Sequence, residues 1–207
     1  MNKLFSKYKA LEADPRTSAS LLPLVARAVF AAVLLVYFWN SAQTKLGDGA
    51  LGLLFPSSGA YAQIFPRAME AASYDISQLT AFHQIVVIMG TWAEFILPFL
   101  IVSGAFSRVA ALGMIGFIAV QSLTDLYGHG GIAHAATLGA WFDRAPDGLI
   151  LDQRALWVFL LLTLVLKGGG ALSVDRLIFR NATSARPACP QPPPAPRPAR
   201  KTRSGTS

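Results

Sequence analysis

Four long apolar stretches divide this chain, separated by segments rich in polar residues, glycine and proline. Residues 21–42 are apolar apart from Arg27, Asn40 and Ser41. Residues 79–103 form a second stretch, interrupted by His83, Gln84, Glu94 and Pro98. A third covers 109–126 and carries Gln121 and Asp125 near its end. The fourth, 155–166, is shorter, so its helix is expected to start within 149–154 and to run into the three glycines at 168–170. About 20 helical residues, rising ~1.5 Å each, cross the ~30 Å hydrocarbon layer of a bilayer. The runs lack period-two alternation and exceed the ~10 residues of a membrane strand. The pattern predicts an all-α fold, a four-transmembrane-helix bundle with spans at about 21–43, 79–103, 108–127 and 152–168. A cleaved signal peptide fits the first run less well, because its apolar part is roughly 7–15 residues long and follows a purely basic start. Here the leader is long and mixes Lys3, Lys7, Lys9 and Arg16 with Glu12 and Asp14.

The connections differ in kind. The turn at 104–108 is minimal, so the second and third spans are expected to form an antiparallel hairpin. The outer loops, 46–78 and 128–151, are long and hold Gly, Pro and aromatics, including Phe55-Pro56, Phe65-Pro66, Trp141 and Phe142. Residues 61–72 read as a short helix lying at the membrane interface. Residues 1–20 read as a leader. Residues 181–207 read as a low-complexity Pro/Arg-rich tail with almost nothing to bury.

Composition agrees with the pattern. Apolar residues make up 53% and charged residues 14%, against roughly 25% charged in a soluble domain. An ordinary soluble enzyme is excluded on that ground. The one cysteine, Cys189, leaves no intrachain disulfide, CxxC or cysteine zinc site. The net charge of +7 arises entirely from Lys167 onward; the rest of the chain sums to zero. Basic residues crowd the leader, the short turn and the tail, while the two long loops carry more acids than bases. By the positive-inside rule both termini face the cytoplasm of a bacterial inner membrane, with the long loops outside. The basic tail then reads as a topology determinant touching anionic lipid. No aromatics interleave its charges, so no nucleic-acid partner is expected.

Charge inside a bilayer costs at least ~2.5–3.5 kcal/mol per group unless it is paired or reaches water. Arg27 lies about 9 Å inside the first span and Glu94 about 14 Å from the inner end of the second. An arginine side chain spans the difference, so one reading is a structural intramembrane ion pair, Arg27–Glu94. The other reading has Arg27 snorkelling to the headgroups and Glu94 protonated. Arg27 and Lys45 are five helical turns apart and share a face, as do His83 and Glu94. Lys45, His83, Gln121, Asp125 and His129 all fall toward the outer end, where they either ring an outward-facing polar pocket or simply meet water. A pocket would suit a quinone headgroup, a small anion or a proton. The three histidines lack ligand spacing, so neither a metal nor haem is expected. Gly104, Ala110, Ala111, Gly113 and Gly116 read as helix-packing notches.

Three signatures carry a family resemblance. The first span has Arg27 and ends in Lys45 (RAVFAAVLLVYFWNSAQTKLGDG). The second has Glu94 and then a Gly-x-x-x-Arg turn ending at Arg108 (AEFILPFLIVSGAFSR). The fourth ends in LKGGGALSVDR, with Ser173 and Asp175. Over about residues 24–179, outside the long loops, this resembles the DoxX family of small four-helix bacterial membrane proteins. The family's usual Gly-x-x-Lys is altered here, with Ser41 or Ala42 in place of the glycine, and the first outer loop is longer than is typical. The resemblance implies an accessory membrane subunit of a redox or oxidative-stress system, acting beside a protein partner in a membrane complex, with quinone as the implied small molecule and no catalysis of its own. Direct disulfide chemistry is not expected without a CxxC. The rival readings are a non-catalytic scaffold for soluble partners and an oligomeric permease for small solutes or metals.

Overall fold

The computed structural model describes residues 15–49 and 51–183. The leader up to residue 14 and the tail from 184 lie outside the described residues. Those described are helical or irregular, with no strand among them. Helix α1 (Pro15–Phe30) continues through a π-helical stretch (Ala31–Leu35) into α2 (Val36–Gln43). Short α3 (Ser58–Ile64) and α4 (Pro66–Ala71) follow in the first loop. The hairpin consists of α5 (Ala81–Ser103) and α6 (Ser107–Leu123), the latter ending in a π turn at Thr124–Gly128. The second loop holds α7 (Ala135–Leu138). A π segment (Leu149–Arg154) opens α8 (Ala155–Lys167), and α9 (Val174–Thr183) ends the described chain.

Four helical segments are long and apolar enough to cross a membrane: Leu21–Gln43, Ala81–Ser103, Ser107–Gly128 and Leu149–Lys167. The chain is thus a multi-pass membrane protein in contact with the lipid bilayer. Residues 15–20 of the expected leader belong to the first helix. The expected interfacial helix at 61–72 is two helices, broken where Pro66 removes an N–H and restrains Phe65.

Each span packs on its two sequence neighbours, and the fourth closes the ring on the first. One inward stripe of the first span (Arg27, Phe30, Leu34, Phe38, Ala42, Lys45) recurs at three- and four-residue steps. Its apolar members meet Ile101, Ala110, Ala111, Met114, Leu161 and Leu164 in a dry core. The fully buried Ala110 and Ala111 bring α6 close to its neighbours, as small residues do when lipid offers no hydrophobic drive between helices. Above the end of the first span, the outer half of α5 is covered by the loop instead. There Ala60, Tyr61 and Met69 pack on Val87. Burial pushes the Tyr61 hydroxyl above its ordinary pKa.

Candidate functional site

Two polar assemblies sit at opposite ends of the dry core. The inner one is built on Gly104, whose φ of +74° lets the chain reverse between α5 and α6. Arg27 reaches this turn and spends its guanidinium on main-chain carbonyls. Nε donates to Ile101 (3.1 Å), Nη2 to Val102 (2.6 Å), and Nη1 to Gly169 (2.9 Å) and Leu172 (2.5 Å). Ile101 and Val102 belong to the last turn of α5, and Gly169 and Leu172 to the loop between α8 and α9, so the guanidinium ties the two together. Asp175 completes the clasp by capping the start of α6. It accepts from the N–H groups of Phe106 (2.6 Å) and Ser107 (2.9 Å) and from Ser107 Oγ (2.8 Å). Ser173 is buried in the same corner, and its Oγ donates to the Gly170 carbonyl. Arg108 stays exposed and reaches only the Leu166 carbonyl, at 3.4 Å.

The expected Arg27–Glu94 pair does not form. Glu94, 2% exposed, pairs with Lys45 instead, whose Nζ lies 3.0 and 2.9 Å from the two carboxylate oxygens. The reason is directional. Helical side chains lean toward the N-terminus, so Lys45 bends back into the bundle past Ser41 while Arg27 leans out to the inner turn. Nζ also donates to the carbonyl and Oγ of Ser41 (3.0 and 2.7 Å), and Ser41 Oγ donates to Glu94 Oε1 (3.1 Å). Lys45 was expected at the outer surface; it is 5% exposed.

Around this pair lies a cavity of about 530 Å³ between the second and third spans. Ser41, Lys45 and Glu94 line its base, Gln121 and Asp125 its α6 side, and Gln63 and His129 its outer rim. Its remaining lining is largely apolar, and exposed Ile85, Met89 and Val120 place its mouth on the flank of the bundle, where lipid chains lie. On its α6 side the cavity is lined by Gly113 and Gly116. A Cβ on Gly116 would meet nothing within 4 Å. Gly113 does act as the expected packing notch, since a Cβ there would lie 3.2 Å from Leu97 Cδ2, whereas Gly116 opens onto the cavity instead.

The structure therefore gathers Lys45, Gln121, Asp125 and His129 around one space, and adds Glu94, Ser41 and Gln63. It leaves out His83, which is held by Thr80 Oγ1 at 2.8 Å and packed edge-on against Phe65. The loop helices fill the room that His83 would have faced. Asp125 is salt-bridged to Arg154 of the fourth span, which is 3% exposed and also bonds Ser122 Oγ at 3.0 Å. Arg154 falls within the expected fourth span, 152–168, but was not expected to pair with Asp125. Its π segment, Leu149–Arg154, extends the fourth span outward and turns Arg154 to α6.

Among the described residues, no group of three or more His, Cys, Asp or Glu is placed to hold a metal ion. No family model, curated protein or solved structure matches the chain.

Proposed function

We propose that this chain is a DoxX-type accessory membrane subunit serving a redox or oxidative-stress system of a bacterial inner membrane, with both termini cytoplasmic. It acts without catalysis of its own, beside a protein partner, and its lateral cavity receives the head of a quinone-type carrier. The observation that carries this reading is the cavity: apolar walls, a mouth on the lipid flank, and polar groups in its lining, with Lys45 and Glu94 at its base and Gln121 and Asp125 on its α6 side. A lipid-soluble carrier needs that combination, because its ring and tail stay in hydrocarbon while its oxygens require partners. The volume of about 530 Å³ is in the ~300–1,000 Å³ range of small-molecule sites.

The permease reading has less support. Fully buried Phe30, Leu34, Ile101 and Met114 fill the bundle between the Arg27 clasp and the Lys45–Glu94 pair, so one copy offers no polar path through that core.

The test is to purify the full chain in mild detergent, extract bound lipids into organic solvent, and look for quinone by its ultraviolet spectrum and mass. Near-stoichiometric quinone in the unaltered protein, lost in Gly116→Leu, is expected. Equal traces in both would refute the site. Reporter fusions at the two ends are expected to give the same cytoplasmic signal; opposite signals would overturn the orientation.

A further inference from the structure

Helix α9 follows the last span but takes no part in the dry core. Its start is fixed to the reversal between α5 and α6. The Asp175 N–H donates to the Gly104 carbonyl at 3.0 Å, and the Asp175 carboxylate caps α6. Gly104 directly follows the span Ala81–Ser103, so this attachment lies at the edge of the hydrocarbon layer. The 10 residues of α9, rising ~1.5 Å each, reach about 15 Å, half of what a crossing needs.

The sequence divides α9 lengthwise. Val174, Leu177 and Ile178 recur at three- and four-residue steps and share one side, while Arg176 falls on the other. Leu177 and Ile178 are 68% and 55% exposed, and Leu172, just before the helix, is 70% exposed. None of the three belongs to either hydrophobic cluster of the protein. On a spanning helix such exposure is met by lipid chains; α9 does not span, so its apolar side needs a cover of its own. Cations gather at the same end. Arg108 lies against the main chain on either side of Lys167, with Nη2 at 3.4 Å from the Leu166 carbonyl and Nε 3.4 Å from where a Cβ on Gly168 would sit. Arg108, Lys167 and Arg176 are all exposed. None of them forms a salt bridge among the described residues, and neighbouring Asp175 is spent on the N–H groups that open α6.

We propose that α9 lies along the membrane surface as a lateral anchor, with Leu172, Leu177 and Ile178 among the acyl chains and Arg108, Lys167 and Arg176 on the phosphates of anionic phospholipid. A helix with an apolar side and a basic flank settles in the plane where headgroups meet hydrocarbon. The bilayer is the occupant because that interface already reaches this place: the second and third spans bring lipid to the Gly104 turn on which α9 is mounted. Three exposed cations without carboxylate partners complement an anionic lipid surface, and guanidinium groups suit phosphate oxygens in particular. Neither half of the proposal depends on the lateral cavity.

The test uses the full-length protein in lipid vesicles. With Cys189, the one cysteine, replaced by serine, a nitroxide is attached in turn at Arg176→Cys, Leu177→Cys and Ile178→Cys. Its collisions with oxygen, which concentrates in lipid, are compared with its collisions with a water-soluble nickel chelate. Labels at 177 and 178 should favour oxygen, and the label at 176 should favour nickel. Labels at 177 and 178 that meet nickel as freely as 176 does would put the apolar side in water; labels shielded from both reagents would put it under protein. Either result overturns the proposal. The charges are tested by native mass spectrometry of the protein from micelles holding equal phosphatidylglycerol and phosphatidylcholine. Each cation near an anionic surface is worth roughly fivefold in affinity, so retained phosphatidylglycerol should exceed phosphatidylcholine by about fivefold or more. The triple variant Arg108→Gln, Lys167→Gln and Arg176→Gln should bring that ratio close to one. A ratio near one in the unaltered protein, or one that the triple variant leaves unchanged, would overturn the role given to the cations. The first of these comparisons needs no variant, so a folding defect in the triple variant does not shield the proposal.

Discussion

Replacing Lys45 by Met keeps the length of the side chain and removes its charge. Glu94 then remains 2% exposed, with Ser41 Oγ its one remaining donor among the described residues. Breaking a buried pair by removing one member costs about 3–5 kcal/mol, because the survivor is an uncompensated charge. The second step is Lys45→Met with Glu94→Leu. Replacing both members by apolar groups is often neutral or stabilising, so the double variant should recover most of the loss. The coupling energy between the two sites should therefore reach about 3 kcal/mol, far above the ~0.3–0.5 kcal/mol scatter expected for independent sites. The same cycle between Arg27→Met and Glu94→Leu should give no coupling beyond that scatter, since Arg27 bonds only carbonyls. Reversible unfolding by sodium dodecyl sulfate in mixed micelles, followed by circular dichroism, measures all four corners of each cycle. Strong coupling of Glu94 to Arg27, or none to Lys45, would refute the assignment.

Three further outcomes follow. Gly104→Ala puts a Cβ 2.7 Å from the Cβ of Ser173 and 2.8 Å from the Arg27 guanidinium carbon, at a φ of +74°; it should cost more than the ~1–2 kcal/mol of left-handed strain alone, and a change under ~1 kcal/mol in the same unfolding assay would count against the clasp. Asp175→Ala strips the cap from α6 and should cost about 1–2 kcal/mol, with faster hydrogen exchange at Phe106 and Ser107. Asp125→Leu strands Arg154, whose side chain is only 3% open, so the loss should match that of Lys45→Met, about 3–5 kcal/mol; a loss under ~1 kcal/mol would refute the role of this pair.

The four spans were legible because bilayer thickness sets a length that hydropathy reveals directly. The segments at 21–43 and 79–103 lie within two residues of the observed ones. Pairing within the bundle was less legible for specific reasons. Counting axial rise placed Arg27 and Glu94 near one another but ignored the lean of each side chain, which sends Arg27 to the inner turn and folds Lys45 back into the bundle. Arg27's partners are carbonyls of Ile101, Val102, Gly169 and Leu172, and any residue could have supplied them. His83 does share a face with Glu94, but Phe65, from a loop whose path the sequence does not give, occupies the space beside it. Gly113 and Gly116 could be read equally as notches or as a void, and only the position of the neighbouring helix decides between them.

The inner clasp also bears on how the protein is made. Arg27 enters the membrane early, yet two of its four carbonyls, those of Gly169 and Leu172, are synthesised more than 140 residues later. Until the last span arrives, the guanidinium has only the hairpin turn to bond, and the start of α6 lacks the carboxylate that caps it. A nascent chain halted after its third crossing would keep a half-served cation at the hairpin turn, so the last span completes the hydrogen bonding of the first.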